Sequence, residues 1–349
     1  MSESDSIDDF LAGASDGNTP KKKTNGIKVT LLVLTVILAM VVGTVATLAY
    51  FANRSVTNMQ ELGDPFAELT DRPTRAATTD GEDAPINFLI MGSDSRISAG
   101  DVDDWKFGAQ RTDALMLLQI SGDRQHIAVM SIPRDSWVTI DGFGEAKINA
   151  AYSYGGPALT IKTVEQLTGV HIDHIAAVDF TTFEQLTDIV GGVDVSTTDG
   201  TQHLNGADAL KFVRERYSLP RGDFDRVRRQ QLWMSAVMKK VLSQETLSSP
   251  TKIMDILNSM SEYVSFDDSL GITDLVSLGS SLRSLDKDNI IMFTAPVAGT
   301  GTSDNGQSIV NLDMDALTSV SKAFQTDTVS SYVALHSDSL DTLTSRPVD

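Results

Sequence analysis

The sequence predicts an α/β domain, a sheet layered between helices on both faces, preceded by one transmembrane helix. Three observations predict it. Short apolar runs at 86–91 (INFLIM), 115–120 and 127–132 are bounded by Gly, Ser and Asp, the texture of strands buried on both faces. Helical patterns at 158–167, 180–190 and 223–242 alternate with later strand candidates, as they do in a layered α/β domain. The 24 residues from Val29 to Ala52 carry no charge, and a helix needs about 20 such residues to cross a bilayer.

Taken in order, residues 1–26 are acidic and Ser/Gly-rich and read as a disordered cytoplasmic tail. Residues 27–52 form the expected transmembrane helix, uncleaved because a signal peptide has a shorter apolar region of about 7–15 residues. Lys21, Lys22, Lys23 and Lys28 precede the span and Arg54 follows it. The positive-inside rule therefore places the N-terminus in the cytoplasm and everything after residue 52 outside the cell membrane. Residues 53–84 are polar, without a sustained apolar period, and read as an extracellular stalk. One domain is expected over 85–325. Its later part holds helix candidates at 252–260 and 270–285, a strand at 289–294 and a helix near 313–324. Residues 326–349 are Ser/Thr/Asp-rich and expected to be a loose tail.

The chain has 47 Asp and Glu against 28 Lys and Arg, a net charge of -19. That balance argues against a general nucleic-acid binder, since phosphate backbones demand a basic surface. With no cysteine, disulfides, thiolate metal sites and a cysteine nucleophile are excluded. Histidines 171 and 174 lie three apart with no third ligand in view, so zinc is not expected.

Against that acidic background, residues 211–231 (KFVRERYSLPRGDFDRVRRQQ) hold six of the fifteen arginines. Arg214 and Arg216 fall on one side of an extended backbone. Arg226, Arg229 and Gln230 fall on one face of a helix, with Arg228 pointing elsewhere. One reading is a solvated helix face paired with Glu215, Asp223 and Asp225. The other is a polyphosphate clamp, because Arg is suited to planar, bidentate recognition of phosphate.

Candidate ligands for a metal sit at strand ends. Asp94 (MGSDSR) directly follows the first strand and Asp113 (QRTDAL) directly precedes the second. Ligands of open α/β sheets bind outside strand ends, and two carboxylates there suit Mg²⁺, which completes its shell with phosphate and water. Two turn-capping aspartates are the alternative. The same rim would carry Arg96, Arg111 and, after the third strand, Arg134 (SIPRD). Lys147 adds another cation, with Asn149 as a polar ligand. Asp101, Asp103 and Asp104 in the intervening loop are read as solvated.

These motifs, in this order, resemble the LytR-CpsA-Psr family of cell-wall glycopolymer ligases. The matching stretches are GSDSR (92–96), RTDALMLLQI (111–120), SIPRDSWVTI (131–140), KINAAYSYGG (147–156), TVEQLTGVHIDH (163–174), GGVDV (191–195), LNGADALKFVRERY (204–217) and GDFDRVRRQQ (222–231). The resemblance implies an α/β/α sandwich with a central mixed sheet and an apolar slot for a polyprenyl chain. It implies a phosphotransferase that moves an anionic glycopolymer, such as a teichoic acid, from an undecaprenyl-pyrophosphate carrier to peptidoglycan through a phosphodiester. By motif, Asp94 and Asp113 would hold Mg²⁺, with Mn²⁺ as its substitute. Arg134, Arg214, Arg216 and Arg226 would bind phosphate oxygens, assisted by Lys147 and Gln230, with Arg96 and Arg111 as further candidates. Asp94, Asp113, Arg134 and Arg226 are the expected catalytic set. Two other outcomes stay open at this point: a lipid pyrophosphate hydrolase, and an envelope polymer-binding regulator without turnover. One departure stands out: Ala146 precedes Lys147 where the family usually has Asp.

Overall fold

The computed structural model describes residues 60–61, 64–78, 81–93, 112–215, 217–247, 256 and 264–349. All lie in one compact unit, 52–349. The expected cytoplasmic tail and transmembrane helix fall outside the described residues. Among the described residues no helix is long and apolar enough to cross a membrane.

Thirteen strands and eight α-helices follow one another in the described chain. The first strands are β1 (Gln60–Glu61), β2 (Ile86–Ser93), β3 (Thr112–Ile120), β4 (Ile127–Ser131), β5 (Trp137–Ile140) and β6 (Gly144–Lys147). After α1 (Ala150–Thr168) come β7 (His174–Asp179), α2 (Phe180–Ile189), β8 (Val193–Thr197), β9 (Gly200–Leu204), α3 (Gly206–Arg214), α4 (Asp223–Val241) and α5 (Gln244–Leu247). The last part holds β10 (Val264–Phe266), α6 (Ile272–Ser281), β11 (Ile290–Thr294), β12 (Val297–Thr302), β13 (Ser308–Leu312), α7 (Met314–Gln325) and α8 (Val329–Leu335).

Seven strands make the central sheet in the order β1-β10-β7-β2-β3-β4-β11. It is mixed: β2 runs parallel to β7 and β4 to β11, while β3 is antiparallel to both its neighbours. Because side chains alternate across a strand, the sheet feeds two cores. Leu89, Met91, Leu115, Leu117 and Met130 pack on one face with Ile161 and Val164 of α1, Phe324 of α7 and Val333 of α8. Phe88, Met116, Leu118 and Val129 pack on the other with Met234 and Met238 of α4 and Leu275 and Leu278 of α6. The layered α/β/α reading therefore holds. A third cluster joins α2, α3 and α4 to the β8–β9 ribbon through Phe183, Val195, Phe212 and Trp233.

Three short elements explain how the helices start. Gly155 and Gly156 break α1, and Gly156 sits at φ 61 before Pro157 restarts the helix, a position proline tolerates because its missing N–H needs no partner there. Asn205 caps α3 by accepting the Asp208 N–H, and Asp313 caps α7 by accepting that of Ala316.

Two expectations at the ends of the domain are corrected. The stalk is partly docked. Arg72 makes a forked ion pair with the buried Glu165 at 2.7 Å, also donates to the Ile172 carbonyl, and lies over the Phe66 ring. β1 adds a parallel edge to β10. The last residues are not a loose tail either. α8 buries Val329 and Val333, and Leu340 and Val348 are also buried. The Thr294 N–H donates to Asp341 and the Leu343 N–H to Met292, so the segment lies along β11. Its Ser/Thr/Asp composition misled because a few widely spaced apolar anchors and backbone bonds hold it.

Candidate active site

The strand directions bring the C-terminal ends of β2, β4, β7 and β11 and the first residues of β3 to one rim. Ser93 pairs with Thr112 and Gly92 with Ala114, so Asp113 is the extra residue of a bulge. In the sequence Asp94 directly follows Ser93. Asp94, Arg96, Arg111 and Arg216 lie outside the described residues, as does the side chain of Asp113.

At the end of β4, Pro133 closes the strand and the chain turns through Arg134 and Asp135. The Ser136 N–H donates to the Pro133 carbonyl, and the Asn149 N–H donates to the Arg134 carbonyl. This turn starts a chain of charges. The Lys147 ammonium is 2.9 Å from Asp135 Oδ1, and Asp135 Oδ2 is 3.9 Å from Arg134 Nε. Arg134 Nη2 is 3.5 Å from Asp223 Oδ1, which lies 2.7 Å from Arg226 Nη2. Among the described residues three cations and two carboxylates make up this chain, and the Arg226 side chain is only 8% exposed. Guanidinium and ammonium groups gathered in a partly buried crevice suit an anion such as phosphate.

The first turn of α4 sets this up. Gly222 precedes it at φ 53, a left-handed conformation that glycine adopts without strain. Asp223 and Asp225 then complement the positive end of the helix. Asp225 is spent on the turn itself, accepting the Arg221 N–H and both Nε and Nη2 of Arg221. Two turns along, the fully buried Gln231 donates to Ser131 Oγ and Thr294 Oγ1, which fixes α4 to the ends of β4 and β11.

Beside α4 lies an apolar cavity of about 310 Å³ between the sheet and helices α2, α4 and α6. Phe88, Ile90, Met116 and Ala176 floor it, and Phe183, Trp233, Met234 and Leu278 wall it. Gln230, four residues after Arg226, also lines it, so the charge chain and the cavity share one helix.

Of the arginine-rich stretch, then, Arg226 joins Arg134 and Lys147. Arg214 closes α3, exposed and helical rather than one of an extended pair. Arg229 does not share the clamp: it donates to the Asp349 carbonyl and lies 4.5 Å over the Phe212 ring. Arg228 is 1% exposed. It bonds Asp341 Oδ1 at 2.7 Å and the carbonyls of Thr342, Leu343 and Arg346. Burial pulls its pKa down and Asp341 opposes that shift. The counter-ion Asp135 went unnoticed in the sequence, although the PRD tripeptide placed it at the same strand end.

Among the described residues no group of three or more His or carboxylate side chains forms a metal cage. Of the described carboxylates at the rim, Asp135 and Asp223 are engaged by cations.

The family model LytR_cpsA_psr matches residues 53–326. Over 288 residues the chain is 31% identical to the cell wall biosynthesis protein LcpA of Corynebacterium glutamicum, covering 67% of this chain and 54% of that protein. It is 33% identical over 229 residues to TagU of Bacillus cereus, a polyisoprenyl-teichoic acid–peptidoglycan teichoic acid transferase, covering 62% of this chain and 71% of TagU. The chain thus spans little more than half of LcpA. The crystal structure of B. subtilis TagV superposes with a TM-score of 0.58 at 28% identity, over 70% of this chain and 97% of TagV. Motifs and these matches agree: the chain belongs to the LytR-CpsA-Psr family.

Proposed function

We propose that this chain is a membrane-anchored phosphotransferase that moves an anionic glycopolymer from an undecaprenyl-pyrophosphate carrier to peptidoglycan. The observation that carries the reading is the adjacency of an apolar cavity to the chain Arg226–Asp223–Arg134–Asp135–Lys147. A lipid pyrophosphate needs both: an apolar enclosure for its tail and fixed cations for its head.

In this reading the polyprenyl chain enters the cavity past Gln230, and Arg226, Arg134 and Lys147 take the pyrophosphate oxygens. Arg214 and Arg216, with Arg96 and Arg111, serve the more distal phosphates of the polymer. Asp94 and Asp113 would hold Mg²⁺, which would supply positive charge against the developing charge of the pyrophosphate. The acceptor hydroxyl oxygen bonds to the distal phosphorus. The bridging P–O bond breaks with its electron pair leaving on undecaprenyl phosphate, and the hydroxyl proton passes to a carboxylate of the Asp94/Asp113 pair. Anchoring by residues 27–52, with the catalytic domain outside the cell membrane, would bring the site to both substrates.

The test uses the purified full chain in lipid vesicles with labelled polyprenyl-pyrophosphate-linked polymer, peptidoglycan and Mg²⁺. A labelled conjugate, abolished by chelation and by Arg226→Ala, is the expected result. Release of free phosphorylated polymer alone would make the protein a hydrolase, and binding without turnover would make it a polymer-binding regulator.

A further inference from the structure

The charge chain has a direction. One end, at Arg226, adjoins Gln230 and the apolar cavity; the other, at Lys147, adjoins the two-stranded ribbon β5–β6. In that ribbon Trp137 pairs with Lys147 and Thr139 with Glu145, while Val138 pairs with Ala146. Cross-strand partners share a face. Val138 and Ala146 face the core, so Trp137, Thr139, Glu145 and Lys147 share the opposite face. On it Thr139 and Glu145 are exposed and Trp137 is half-buried. Asp135, two residues before Trp137, stands on the same side and bonds Lys147.

We propose that this face is the acceptor ledge, a binding surface for the sugar rings of a glycan strand, with Trp137 as the stacking platform. The proposal rests on the transferase reading above and locates its second substrate. Phosphoryl transfer places the attacking and leaving oxygens roughly in line through phosphorus. The leaving oxygen belongs to the lipid phosphate, on the cavity side. The attacking hydroxyl therefore arrives from the opposite side, which is the Lys147 end. The residues there suit a sugar. An aromatic plane packs against the apolar face of a pyranose ring, and the hydroxyl of Thr139 and the carboxylate of Glu145 are placed to bond its hydroxyls. The ribbon is also held rigid: Phe143 at its tip stacks on Tyr154 of α1 with ring centroids 4.6 Å apart. The Val310 N–H of β13 donates to the Asp135 carbonyl at its base.

The experiment measures transfer by the full chain in vesicles while acceptor glycan and lipid-linked donor are varied separately. Trp137→Ala is expected to raise the acceptor KM about tenfold, the size of one lost aromatic contact. Donor KM should stay unchanged, and Trp137→Phe should restore most of the affinity. An unchanged acceptor KM, or an equal rise in donor KM, would overturn the ledge. A second measurement does not need turnover. In a Trp105→Phe background, acrylamide quenches Trp137, because Trp233 is 4% exposed. Oligomers of β-1,4-linked N-acetylglucosamine should protect it. Absence of protection would overturn the ledge even if transfer is seen. Protection without any transfer would leave the ledge standing and sink the transferase reading instead.

Discussion

Arg226 and Arg228 are two residues apart on one helix, both buried, and do opposite work. Arg226 faces Asp223 and Arg134 at the rim. In the proposed reading it contacts phosphate, so Arg226→Ala should lower conjugate formation by at least about 100-fold, since a charge-assisted contact made in the transition state contributes a few kcal/mol. Its unfolding temperature should move little. Arg228 faces Asp341 and three backbone carbonyls, and the sequence alone marks it only as pointing away from the clamp. Removing it strands those groups, so Arg228→Ala should cost about 3 kcal/mol of stability. Thermal unfolding of the two variants beside turnover separates the roles; equal loss of stability in both would refute the division. Asp267 provides a pH-dependent counterpart. Burial would raise its carboxyl, but bonds from His174, Ser269 and the Ile175 N–H outweigh burial and hold it below the usual carboxylate range. A depressed native pKa stabilises fully above the unfolded value, near pH 4, and that stabilisation fades as pH falls through the native value. Urea midpoints should therefore drop between pH 5 and pH 3 in the wild type, and less steeply in Asp267→Asn.

At the scale of elements, α4 is the frame of the site. Its first turn carries Asp223 and Arg226, its middle carries Gln230 and Gln231, and the side chain of Arg228 ties it to the C-terminal segment. That segment lies on β11, to which Gln231 also bonds through Thr294. Deleting residues 340–349 removes the Arg228 contacts together with the buried Leu340 and Val348, so it should destabilise the domain by more than Arg228→Ala does. Combining the two should add little, because both remove the same contacts; additive losses in denaturant titrations would show that the contacts are independent. How much of this was legible depends on what signals each element. β2, β3, β4 and β11 and helices α2, α4 and α7 announce themselves by apolar runs or by 3.6-residue periods and caps, and the structure places them within a few residues of the expectation. The ribbons β5–β6, β8–β9 and β12–β13 do not, because a short half-exposed pair of strands carries too few apolar positions to show a period. Position along the chain brought Arg134, Lys147 and Arg226 to one rim on paper. Their counter-ions, and the diversion of Arg229 to Phe212 and of Arg228 to Asp341, depend on tertiary contacts more than 100 residues apart in sequence for Arg228.

For the whole molecule, the proposed donor is an anion while the chain carries a net charge of -19, so its own field opposes that binding. Binding then depends on local cations and on burial of the lipid, and these two contributions can be separated. The cavity is lined almost wholly by apolar side chains, with Ala176 on its floor. Ala176→Phe would fill open space rather than displace packed atoms, so its cost in stability should stay below the 1–3 kcal/mol typical of overpacking. It should nevertheless abolish binding of a long polyprenyl pyrophosphate while leaving a short-chain prenyl pyrophosphate bound through Arg134, Lys147 and Arg226. Arg226→Ala should weaken both ligands to the same degree. Isothermal titration of the two ligands against the two variants checks this directly. If Ala176→Phe spared the long chain, the tail would lie elsewhere and the cavity would be an ordinary packing gap. If Arg226→Ala spared the short ligand, the head group would not sit on the charge chain.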